Sequence, residues 1–201
     1  MKAVLALSFL GLVVLAASGP GVTAEERAKV LRLLRESEKE FLELIGDVSE
    51  AGWRFKPGAD RWSVAEVAEH IVLAEGALFG MAQKALAAGP NPDWEARTAG
   101  KTEFLDQVMV DRSRRAQAPE SVAPKGALSR QEAVSRYGEA RARTRKFIEE
   151  TALPLKAHTA DHPFKVFGTL NAYQWALYIP LHNMRHNQQI AEVKASTGFP
   201  R

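Results

Sequence analysis

The 201-residue chain contains no cysteine. That excludes disulfide staples, cysteine nucleophiles, Fe–S clusters, thiolate zinc sites and lipid attachment at a lipobox. Any metal must be held by His, Asp or Glu. Charge of one sign is scarce too: 27 Lys+Arg face 24 Asp+Glu, a net +3. So small a surplus gives no electrostatic footprint for nucleic acid. Strand signals are missing, since no stretch alternates apolar and polar residues convincingly beyond about four positions. No internal repeat stands out. With 46% hydrophobic and 25% charged residues, the composition is that of an ordinary globular protein. The length suffices for a sizeable core without staples.

Long apolar runs are confined to the N-terminus. Lys2 precedes an uncharged, mostly apolar run over residues 3–17, followed by Gly19-Pro20-Gly21 and Val22-Thr23-Ala24. This is the layout of a secretory signal peptide, expected over residues 1–24, and it implies export to the periplasm or beyond. The run is shorter than the roughly 20 residues needed to span a bilayer. No stable membrane anchor is therefore expected after cleavage. If cleavage follows Ala24, residues 25–201 form a single domain.

That domain reads as four long helices. The first is expected over residues 25–45, where Val30, Leu33, Leu34, Phe41, Leu44 and Ile45 recur at helical spacing. Residues 53–62, with Pro57 and Gly58, read as a loop. Ser63 lies three residues before Glu66, a capping box that opens the second helix. Gly89-Pro90 stops it after Ala88. The third runs from Ser129, boxed by Glu132, to Glu150. The fourth runs from Asn171, boxed by Gln174, to Ala195. Pro180 inside it removes one backbone hydrogen bond and is expected to kink it. Residues 89–128 are punctuated by proline and glycine and read as an irregular crossover, with a short helix over 102–114. The expectation is an all-α four-helix bundle with a long crossover.

Three histidines fall on core-facing stripes. His182 and His186 form H-x3-H, so both imidazoles project from one helix face a turn apart. His70 faces inward from the second helix, in line with Val67, Ala74, Ala77 and Met81. Three neutral imidazoles suit a divalent cation such as Zn, Ni, Cu or Fe(II) with open positions. The alternative is three separately hydrogen-bonded core histidines, because H-x3-H alone is a weak signal. The segment His182-Asn183-Met184-Arg185-His186 lacks the glutamate of H-E-x-x-H, which argues against a metalloprotease. Glu66 is read as a cap rather than a partner of His70, Gln189 as an inter-helix hydrogen bond, and Arg185 as a salt-bridge or surface residue. His158 and His162 are read as loop residues, and Trp53, Trp62, Trp175 and Tyr178 as core or rim aromatics.

The string Trp62-Ser63-Val64-Ala65-Glu66-Val67-Ala68-Glu69-His70 resembles the W-S-x-x-E-x-x-x-H signature of the DinB-like superfamily. The tail resembles its second half: His162-Pro163, Phe167-Gly168-Thr169-Leu170, Gln174-Trp175, then His182-x-x-Arg185-His186-x-x-Gln189-Ile190. The resemblance implies an up-down-down-up four-helix bundle. It also implies a divalent metal held by His70, His182 and His186, its identity (zinc, nickel or iron) open. Relatives of that kind include thiol-dependent S-transferases and isomerases that use mycothiol, bacillithiol or glutathione. Those thiols are mainly cytosolic, so export lowers that reading. It leaves a metal-dependent hydrolase acting on a small molecule ahead of a non-catalytic metal- or ligand-binding protein. Relatives are often homodimers, but no heptad or apolar patch here identifies an interface.

Overall fold

The computed structural model describes residues 19–113 and 117–200. The apolar run expected to be a targeting signal lies outside the described residues. Four long helices form the frame: α1 (Ala24–Gly46), α3 (Val64–Ala87), α6 (Arg130–Glu150) and α7 (Ala172–Lys194). Short helices α2 (Glu50–Arg54), α4 (Trp94–Thr98) and α5 (Lys101–Val108) occupy the connections. Strands β1 (Thr159–Asp161) and β2 (Thr169–Asn171) pair antiparallel just before α7.

Each long helix begins where a short polar side chain can satisfy its first free N–H groups. Complete capping boxes join Thr23 to Glu26, Ser63 to Glu66, Ser129 to Glu132 and Asn171 to Gln174. Thr23 caps α1, and the Pro20 carbonyl accepts from the Lys156 N–H at 3.0 Å. Processing after Ala24 would remove both contacts. The stretch read as a loop over 53–62 begins instead in α2: Ser49 caps a short helix that carries Trp53 into the core. The crossover helix is shorter than expected, ending at Val108, and α4 precedes it.

Cross-links give the direction of each helix. Asn187 and Lys194 of α7 donate to the Ser37 and Leu44 carbonyls of α1, so these two run parallel. Glu75 meets Arg141 and Phe79 meets Phe147, so α3 and α6 run parallel. Arg141 reaches the Leu34 carbonyl whereas Arg130 reaches Gly46, so α1 and α6 are antiparallel. The order is up-down-down-up, and residues 88–129 return the chain along the bundle. One apolar cluster, built on Trp175, Ile179, Leu34 and Leu105, fills one end. A second, built on Phe41, Trp53, Tyr137 and Ile190, fills the other. Pro180 offers no N–H to the Ala176 carbonyl, yet α7 continues through it without a break.

Candidate metal centre

His70 lies on the second turn of α3, and His182 and His186 lie on consecutive turns of α7. Packing of α3 on α7 brings the three rings together. Their centroids are 5.1 Å (His70–His182), 4.5 Å (His70–His186) and 4.4 Å (His182–His186) apart. One ligand nitrogen from each lies within 4.8 Å of the other two. Nitrogens sharing a cation at about 2.1 Å each sit no more than about 4.2 Å apart. A small side-chain adjustment would therefore bring all three within reach of one cation.

Hydrogen bonds fix which nitrogens are available. The His70 Nδ1–H donates to the Val122 carbonyl at 2.7 Å. The His186 Nδ1–H donates to Gln189 Oε1 at 2.8 Å. Both rings thus present an unprotonated Nε2, the arrangement seen when an outer partner orients a metal-binding imidazole. Gln189 is therefore a partner of His186 within α7, not the inter-helix bond expected from sequence.

The rings are held neutral. Burial depresses the His70 pKa below the ordinary imidazole range, and the bond to Val122 only partly opposes this. His182 and His186 are pushed well below that range, first by burial and then by the neighbouring imidazoles. Neutral imidazole is the form that ligates a metal. The donor set, its tautomers and its protonation all fit a divalent cation.

Aromatic rings wall the cluster. Trp62 lies 5.0 Å from His70 and stacks near His186 at 6.3 Å. Tyr178 stacks on His182 at 5.9 Å. Beyond it, His162 stacks on Trp175 at 5.0 Å with planes 6° apart, so this loop histidine is an aromatic packing residue away from the cluster. His158 sits at the start of the β1 segment, where its backbone binds Ala172. Arg185 donates to the Met109 and Asp111 carbonyls, and Arg112 grips Glu192 with two bonds of 2.7 and 2.9 Å. Together they strap the crossover onto α7. Glu66 caps α3 as expected and also pairs with Lys56 at 3.0 Å.

Sequence reasoning missed Val122, because a backbone carbonyl has no signature. It also missed a buried polar seam beside the histidines. Arg141 pairs with Glu75 there, both side chains almost wholly buried, and Tyr137, Asn183 and Asn187 extend the network. Two buried charges on α3 and α6, each at a helical core position, were the available signal.

A structural match is YfiT from Bacillus subtilis, described as "a probable metal-dependent hydrolase with an unusual four-helix bundle topology". It is 13% identical, covers 89% of this chain and 91% of its own, and has a TM-score of 0.47. A likeness of that degree bears on no functional assignment. None of the curated proteins compared with the chain matches it. The model for the DinB superfamily matches residues 33–190, a span that includes all three histidines. The chain belongs to the DinB superfamily.

Proposed function

We propose that this is an exported metal-dependent enzyme of hydrolytic type, acting on a small molecule. His70, His182 and His186 would hold a divalent cation, zinc, nickel or iron(II). The observation that carries this reading is the convergence of three neutral imidazoles, two of them with Nδ1 already engaged. A cation bound by three protein ligands supplies Lewis acidity at positions left open to water or substrate. The protein's own contribution is orientation and exclusion. Val122 and Gln189 hold two rings in place, while Trp62 and Tyr178 restrict approach to the cluster.

The decisive experiment is elemental analysis of the native exported protein, paired with N-terminal sequencing. Near-stoichiometric divalent metal, lost in His182→Ala, supports the reading. Absence of metal together with unchanged stability after chelation would overturn it. Metal without turnover across a broad hydrolase screen would favour a non-catalytic binding protein. An uncleaved cytosolic N-terminus would favour thiol transfer.

A further inference from the structure

His70 owes its tautomer to the Val122 carbonyl, and that carbonyl sits in the irregular crossover, not on a helix. Something must hold the crossover there. The neighbouring residue on α3 does so. Glu69 is buried, and its Oε2 accepts from the Lys125 N–H at 3.1 Å and the Ala127 N–H at 3.0 Å. Two amides on alternate residues can converge on one oxygen because Gly126 between them has φ +68°, a conformation that L side chains rarely adopt. The same turn is gripped from α2, where Trp53 Nε1 donates to the Leu128 carbonyl and Arg54 to the Gly126 carbonyl.

We propose that Glu69 is the positioning residue of the metal centre. Its carboxylate clamps the turn over residues 125–127. The clamped turn holds the Val122 carbonyl against His70 Nδ1–H, and this directs His70 Nε2 toward His182 and His186. Adjacent helix residues point about 100° apart, so one residue ligates while its neighbour anchors the loop that orients it. The two accepted amides lie more than fifty residues along the chain, so this carboxylate ties α3 to the crossover rather than capping its own helix. The metal role rests on the reading of the three histidines as ligands, whereas the tautomer role does not.

The test uses the full chain with Co(II) as probe, and nitrogen-15 NMR of the imidazole rings. The wild-type protein is expected to show His70 as the Nδ1–H tautomer without metal. Glu69→Ala should shift it toward the Nε2–H form and weaken Co(II) binding by about 10- to 100-fold, the usual effect of losing an outer partner. Glu69→Gln, whose amide oxygen can still accept both N–H groups, should restore most of both. Gly126→Ala, made with Glu69 intact, should reproduce the alanine phenotype. If Glu69→Ala keeps the His70 tautomer and binds Co(II) within twofold of wild type, the proposal is overturned. If wild-type protein binds no Co(II), the metal reading fails. The tautomer result then decides alone whether Glu69 positions His70.

Discussion

Removal of Glu75 should be among the most damaging single changes in the bundle core. Arg141 is wholly buried, and each of its donors is engaged. Its Nε and Nη2 bind the Glu75 carboxylate at 3.0 and 2.9 Å, while Nη1 binds the Leu34 carbonyl and Ser37 Oγ. Nη2 also reaches Asn183 Oδ1 at 2.9 Å. Glu75→Ala leaves the guanidinium its neutral partners but no counter-charge, and an uncompensated buried charge costs about 3–5 kcal/mol. Against a typical total stability of about 5–15 kcal/mol, that is a large share. Urea unfolding should show the midpoint falling sharply with the slope unchanged. The paired replacement Glu75→Leu with Arg141→Met should cost far less than either single change, because no charge is then stranded. Asn183 would still accept from Tyr137 at 2.6 Å, and Thr144 would still donate to the Ala140 carbonyl at 3.2 Å. A loss below about 1 kcal/mol for Glu75→Ala would refute the reasoning, since about 3 is the least expected for a stranded charge. So would a double variant as unstable as the two singles added together.

Three further outcomes are expected. Gln189→Ala, which frees the His186 Nδ1–H, should weaken metal binding by about 10- to 100-fold in a chelator competition while leaving the helical circular dichroism unchanged. Ser129→Ala removes the hydroxyl half of the α6 capping box and should cost about 1 kcal/mol in urea unfolding. His162 is held to a pKa of about 4, chiefly by burial among aromatic rings, against 6.5 when free. Between those values the unfolded chain binds the proton and the folded one does not, so stability rises with pH across that window and is lost as pH falls from 6.5 toward 4. His162→Phe, which keeps the stack on Trp175 but cannot titrate, should lessen the loss between pH 7 and pH 4.5. The three cluster histidines contribute in the same direction in both proteins, so the difference isolates His162.

The four long helices were legible because local chemistry and packing agree at their ends. Ser63, Ser129 and Asn171 each sit three residues before a glutamate or glutamine, and each forms the full box. The histidine cluster was legible for a related reason: H-x3-H on one face and an inward His70 leave few ways to pack α3 on α7. The short helices were harder to see. Residues 50–54 have too few positions for periodicity to show, and Trp53 is buried by residues distant in sequence, with Leu128 accepting its indole N–H. The aromatic role of His162 depends on the β1–β2 hairpin folding it over Trp175, a contact between segments with no local trace. Gln189 reads either way from sequence, because helix spacing permits both a bond within the helix and one across to a neighbour; the structure makes the bond within α7, and that bond sets the His186 tautomer.

The buried seam and the histidine cluster are mechanically one assembly. On α7, His182 points into the cluster while Asn183, the next residue, points into the seam. On α3, His70 and Glu75 divide the same two roles. An apolar interface alone tolerates sliding, because leucine and alanine side chains re-pack at small cost. A slip of one helical turn moves a residue by about 5.4 Å, more than the spacing between any two of the three rings. The seam forbids that slip. Asn183 must meet both Tyr137 and Arg141, Arg141 must meet Glu75, and Asn187 must meet Ser37 and Glu40, so all four long helices are tied in one register. A buried ion pair adds little net stability over apolar packing. Its value here lies in geometry, because the spacing of the three imidazoles depends on the register the seam enforces.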